Sequence, residues 1–234
     1  MFDGVLDFDL TASATEPMEV PCPVCHHDFG YEAWKVVNAG LDHMLAVAVK
    51  DGMLFAYTCP NCGYSDHLVH ECMYLDGPNN ACVNLVVSPG MAALAEVVFD
   101  GYEMGGGHGG VDGSRRRIVF NRFDLREKAR VFSEGVDDRV IELVKLDIAS
   151  SMRFDEAPHW QTAPQARFSH VHGTLLGFDV VYGSSQTDIV VPHGLYDAYA
   201  EALGRSSLAT RDSYYIDARW ARQALEVLET EQVL

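Results

Sequence analysis

Two Cys-Pro-x-Cys turns, Cys22-Pro23-Val24-Cys25 and Cys59-Pro60-Asn61-Cys62, restrict this chain more than any other feature. Each places two thiolates where a single tetrahedral ion can be gripped, and together they supply four soft ligands in zinc-ribbon fashion. Pro23 and Pro60 stiffen the turns before any metal arrives, and Gly63 permits the tight backbone just past the second pair. The 33 residues between Cys25 and Cys59 exceed the gap of a short ribbon. A strand–helix–strand insertion that returns the chain to its starting point accounts for the length. One pair alone would also suit a redox dithiol beside a βαβ unit, but two matched pairs favour metal. With Cys22, Cys25, Cys59 and Cys62 all ligating, one Zn²⁺ has no exchangeable position, so the expected zinc is structural.

Around these turns the pattern reads as α+β: a zinc-ribbon-like antiparallel module joined to a further antiparallel sheet and several helices. Tyr31–Asn38 and Met53–Thr58 read as strands, with a helix over Leu41–Lys50 burying Leu41, Met44, Leu45 and Ala48. Asp76-Gly77-Pro78-Asn79-Asn80 between two apolar runs, His67–Leu75 and Ala81–Val87, predicts a hairpin. Met91–Phe99 reads as a helix and Arg115–Asn121 as a strand. The next helix starts at an Asp124 cap, turns Leu125, Ala129 and Phe132 inward and stops at Gly135. Val136–Met152 is a longer helix with Val140, Val144 and Ile148 on one face. Residues 153–164 read as irregular. Phe168–His172, Leu175–Tyr182 and Thr187–Val191 follow as strands around a turn at 183–186. Leu195–Leu203, ended by Gly204, and Asp212–Glu231, with Ile216, Trp220, Ala224 and Val227 or Leu228 inward, complete the list of helices.

The organisation expected is an acidic, flexible 1–19, a ribbon-containing 20–100, a glycine-rich loop over 101–114, and an α+β part over 115–234 packed with the ribbon as one domain. The first residues lack a basic, apolar leader, and no stretch approaches a membrane span. A cytoplasmic setting is expected, where six cysteines stay reduced and point to metal before disulfides.

The two cysteine pairs, together with Asp51-Gly52-Met53-Leu54-Phe55 ahead of the second, resemble the CpXC family of bacterial proteins. The segments Leu125-Arg126-Glu127-Lys128 and Asp137–Lys145 are similar to its helical signature. The resemblance covers most of residues 20–148. It implies a zinc-binding fold and brings no activity with it.

Other candidates are weaker. Gly105, Gly107 and Gly110 fit Gly-x-Gly-x-x-Gly, but a strand follows where a dinucleotide site needs a helix. His170 and His172 share a strand face, and Asp179, Asp188 or His193 could complete a second metal site, the basis for a metal-dependent enzyme as the alternative function. Arg115-Arg116-Arg117 is the basic spot for a nucleic-acid-binding ribbon, set against a formal charge of −17 that repels phosphate. Cys72 and Cys82 read as buried hydrophobes on opposing hairpin strands, with His70 on the face of Cys72. His26 and His27 flank the first knuckle, where one ring could bond a thiolate. Asp137, Asp138, Arg139 and Glu142 read as a helix start, with a Glu142–Lys145 pair and an Arg139–carboxylate bridge to the ribbon. The leading function is therefore a structural-zinc protein that binds a protein partner, with nucleic acid and membranes set aside.

Overall fold

A computed structural model describes residues 12–104, 114–155, 165–182 and 184–234. The chain divides into two compact units, Met1–Ala129 and Arg130–Leu234.

The first unit is built on a five-stranded sheet of order β1-β2-β5-β6-β7: Ala14–Pro21, Asp28–Asn38, Cys72–Asp76, Ala81–Leu85 and Arg115–Val119. The α+β class holds, but this sheet is mixed. β1/β2 and β5/β6 are antiparallel, whereas β2/β5 and β6/β7 are parallel. Parallel neighbours need crossovers, and the chain supplies them. Helix α1 (His43–Asp51) lies between β2 and β5, and α2 (Pro89–Met104) between β6 and β7. Central strands of such sheets are covered on both faces. Tyr74, Leu75, Ala81, Cys82, Val83, Leu85, Ile118 and Val119 are accordingly buried in continuous runs. The predicted turn is a short 3₁₀ turn over Gly77–Asn79, held by the Asp76 carboxylate accepting from the Asn79 backbone at 3.3 Å, with Asn80 left-handed at φ 50°. A separate two-stranded hairpin pairs β3 (Ala56–Thr58) with β4 (Ser65–His67).

Several expectations are corrected here. Residues 14–19 are not a lead-in: they belong to β1, whose register runs from Ala14↔Val36 to Pro21↔Asp28. Pro17 and Pro21 mask the strand signal, yet β1 is an edge strand, where a missing N–H is tolerated. In α1 the buried residues are Ala46 and Val49, while Leu41 and Met44 are 70% and 77% exposed. Leu41 precedes the first helical turn, so it never joins the inward stripe. The predicted strand over His67–Leu75 is split, its first residue ending β4 and its last ones lying in β5. Helix α2 continues to Met104, past the glycine where a loop was expected, and Gly105, Gly107 and Gly110 lie outside the described residues.

Helix α3 (Arg122–Ser133) starts where the Asn121 side chain accepts from the backbone N–H groups of Phe123 at 3.0 Å and Asp124 at 2.9 Å. Asn121, not Asp124, is the cap; Asp124 takes the reciprocal position and accepts from the Asn121 amide at 2.6 Å. Leu125, Ala129 and Phe132 are fully buried as expected, and Gly135 ends the segment at φ 71°.

In the second unit, α4 (Asp138–Asp155) packs against α5 (His193–Arg205), α6 (Ala218–Thr230) and β8 (Gln165–His172). Val140, Val144 and Ile148 form its buried face. The rest of the irregular stretch expected at 153–164 falls outside the described residues from 156 on. β8, β9 (Leu175–Tyr182) and β10 (Ser185–Pro192) make an antiparallel meander of order β10-β9-β8. Its inner face carries Ala166, Phe168, Leu176, Phe178 and Val180, with the two phenylalanine rings edge-on at 5.8 Å. Gly204 does not end α5. The helix continues to Arg205, and the Ser206 hydroxyl donates to the Leu203 carbonyl at 2.8 Å. Helix α6 begins later than expected because Asp217 caps it, accepting from Arg219 and Trp220 N–H groups at 2.9 Å. Its buried stripe is Ala221, Ala224 and Leu228.

Burial separates two leucine-sized positions that the sequence treats alike. Leu125→Ala is expected to lower unfolding stability by about 2–5 kcal/mol, and Met44→Ala to change it by less than about 0.5 kcal/mol. Denaturant unfolding of the full chain checks both.

Candidate metal centre

Each cysteine pair is the turn of a hairpin. The first joins β1 to β2 and the second joins β3 to β4. The two turns share one hydrogen-bond scheme. The Cys22 N–H donates to the His27 carbonyl at 3.0 Å, as the Cys59 N–H does to that of Tyr64 at 2.7 Å. The His26 N–H donates back to the Cys22 carbonyl, as Gly63 does to Cys59, both at 3.0 Å. Directly after the second cysteine of each turn stands a left-handed residue: Gly63 at φ 75° and His26 at φ 58°. Glycine adopts this conformation without strain, and histidine is among the few other residues found there.

The two tips meet. Cys22 Sγ lies 3.6 Å from Cys62 Sγ, and Cys25 Sγ lies 3.7 Å from Cys59 Sγ. All four sulfurs fall within 4.8 Å of one another, close enough to hold one metal ion. Among the described residues this is the only such group of His, Cys, Asp or Glu. Cys22 and Cys59 are buried, Cys25 is half-buried and Cys62 faces solvent.

Electrostatics divide the thiols. Cys25 is lowered to about 6, first by the Asn61 amide, which donates to its sulfur at 3.4 Å, and then by the His27 backbone N–H. Cys22 is also lowered, chiefly by the Cys25 backbone N–H. At Cys62 the Tyr64 backbone N–H favours the thiolate, but lost solvation and the neighbouring thiols outweigh it and push the group up to about 12. A cation held there would replace this mutual repulsion with attraction and favour loss of the remaining thiol protons. Asn61 was not singled out from the sequence, though an amide inside a Cys-Pro-Asn-Cys turn is a readable sign. His26 and His27 are exposed, and the contact to a thiolate comes from the His27 backbone.

An aromatic group backs the site. Tyr57 of β3 packs against Phe29 at 5.6 Å, Tyr31 at 6.5 Å and Tyr64 at 6.4 Å between ring centroids. Phe55 meets His70 edge-on at 5.1 Å. His70 was expected on a strand beside Cys72; it lies ahead of β5, and its ring turns into this group.

A family model described as CpXC protein matches residues 20–145. The chain belongs to the CpXC family. The match takes in both cysteine pairs and ends within α4, and it spans more than half of this CpXC chain. No curated protein and no solved structure matches the chain.

The remaining candidates resolve otherwise. His170 and His172 do share the outer face of β8, but Asp179, Asp188 and His193 do not join them as a ligand group. Asp179 pairs with Arg130 at 3.8 Å, His193 bonds Asp197 at 3.1 Å, and the His170 ring lies over Gly177 with Nδ1 2.7 Å from the Ser169 hydroxyl. The arginine triplet is no basic surface spot. Arg116 and Arg117 are buried in β7 and donate to the carbonyls of Phe99 and Arg116, while Arg115 donates to that of Asn79. Cys72 and Cys82 are buried and unpaired by disulfide, each thiol pushed up to about 12 by burial. They face Leu85 and Leu75 across the hairpin, not each other. Glu142 pairs with Lys145 at 2.9 Å as expected. Arg139 pairs with Asp137 at 2.7 Å and also donates to the carbonyls of Leu208 and Arg211, tying the start of α4 to that segment.

His26→Gly is expected to raise stability by up to about 1 kcal/mol by relieving the left-handed position, and Gly63→Ala to lower it by a similar amount; thermal unfolding reads both. Burial holds the His70 pKa below the ordinary histidine value, with the Glu71 carbonyl opposing and Lys35 reinforcing the shift. A folded-state pKa below the unfolded one means that the neutral form is favoured on folding. Its stabilisation is present above about pH 6.5 and lost as pH falls below it. The Tm difference between the parent chain and His70→Phe should therefore move against the parent between about pH 8 and pH 5.5; a difference that stays constant would contradict the burial argument.

Proposed function

We propose that this CpXC chain carries one structural zinc ion on Cys22, Cys25, Cys59 and Cys62 and serves as a binding or scaffold protein for a protein partner. The spacing of the sulfurs carries the metal half of this reading. Zinc–sulfur bonds of about 2.3 Å place the ligands of a regular tetrahedron about 3.8 Å apart, and two pairs between the knuckles, Cys22–Cys62 and Cys25–Cys59, stand at 3.6 and 3.7 Å. Four soft thiolates select zinc over hard cations and leave no open position for substrate or activated water. A closed site orders a surface instead of performing a reaction, which is why binding is preferred to catalysis. The net charge of −17 and the burial of Arg116 and Arg117 favour a protein partner over nucleic acid. A reducing compartment such as the cytoplasm suits the free thiols. Among the described residues no helix is long and apolar enough to cross a membrane.

Elemental analysis of the full chain, purified without a metal-affinity tag, is expected to give one zinc per chain. Cys59→Ser should lose it and lower Tm by on the order of 5–10 °C, a few kcal/mol for a chain of this size. His172→Ala should leave the zinc content unchanged. A metal-free, fully folded parent chain would overturn the metal reading. Affinity capture with the parent chain and Cys59→Ser tests the binding half, since identical partner lists for both would remove its link to the zinc-ordered surface.

A further inference from the structure

Behind the knuckles, Tyr31 of β2 and His70 meet edge to face with ring centroids 6.0 Å apart. His70 is 5% exposed. Its Nδ1 lies 3.0 Å from the Glu71 carbonyl oxygen. A carbonyl only accepts, so Nδ1 carries the ring proton, and the neutral imidazole presents a bare lone pair at Nε2. That Nε2 is buried and finds no hydrogen-bond partner among the described residues, and the same holds for the Tyr31 hydroxyl. Each such group left unmet forfeits its hydration with nothing in exchange. Native folds rarely leave even one without a bound partner.

The two groups ask for different things. Nε2 needs a donor, while the hydroxyl can give a hydrogen or receive one. An anion would meet the Nε2 lone pair with repulsion. A cation would sit near Lys35, which raises the energy of positive charge at His70, and would leave the Tyr31 O–H without an acceptor. Cys72, whose thiol is held neutral by burial, adds no compensating charge. A small neutral molecule that both donates and accepts satisfies the whole set.

We propose that one internal water molecule binds between Tyr31 Oη and His70 Nε2, accepting from the tyrosine hydroxyl and donating to the imidazole. Tyr31 belongs to the main sheet, whereas His70 lies on the segment that leaves the β3–β4 hairpin and enters β5. The water therefore fastens the exit of the second hairpin to the strand that carries the first. It also fixes the His70 tautomer from one side as Glu71 fixes it from the other.

A crystal structure of the full, zinc-loaded chain at a resolution that orders solvent tests this directly. The expected result is a solvent peak at about 2.7–3.2 Å from both atoms. A direct Tyr31–His70 hydrogen bond, or no peak at the position, would overturn it. Solution NMR of the same zinc-loaded chain gives a second reading. A solvent cross-relaxation signal at the His70 ring is expected in the parent chain and weakened in Tyr31→Phe. An equally strong signal in both would place any water elsewhere, and no signal in the parent chain would reject the site.

Discussion

The first unit depends on bringing two hairpin tips into contact, although each tip carries groups that repel. Four sulfurs within 4.8 Å cannot all be thiolates without a cation among them. The opposing shifts at Cys25 and Cys62 express that conflict. The rest of the first unit is arranged to make the meeting possible. β2 is long enough to extend from the knuckle into the main sheet, α1 turns the chain back, and β3 delivers Cys59 opposite Cys22 and Cys25. The backbone scheme shared by both turns fixes two cysteines per tip before metal binds. A cation would have only to join two preformed halves.

Much of this was legible in the residues themselves. Cysteine spacing is local information, and so is the Asp76–Asn80 turn, because the side chains that define such features lie within a few residues of the backbone they shape. Helices α3 and α4 were readable for the same reason: Leu125, Ala129 and Phe132, and then Val140, Val144 and Ile148, mark one face each. What escaped was decided by distant partners. Nothing near β5 announces that it runs parallel to β2, since that pairing depends on α1 and the second hairpin lying between them. The edge position that excuses Pro17 and Pro21 in β1 is likewise a property of the whole sheet. Arg116 and Arg117 were read as surface because charge is usually solvated, and only the three-dimensional sheet shows them buried.

The same distinction applies to the site. That Cys22, Cys25, Cys59 and Cys62 belong together needed no structure, but the support behind them did. Asn61, the His27 backbone, and the ring group of Phe29, Tyr57 and Tyr64 come from different segments that meet only once the hairpins pack. His170 and His172 show the reverse case. Their shared face was read correctly, yet two ligands on a strand make a metal site only when a third arrives, and Asp179 and His193 are engaged with Arg130 and Asp197.

The two knuckles stand on unequal foundations. The first tops a pair of strands within a five-stranded sheet, while the second tops β3 and β4, with three residues in each strand. A hairpin of that size does not persist by itself in water. Were an ion to bridge the two knuckles, its loss would be felt unevenly, with the segment from 56 to 67 detaching while the sheet kept its order. A metal held between the knuckles would then be a latch on one flap, with the ring group of Tyr57 and Tyr64 on the side that opens.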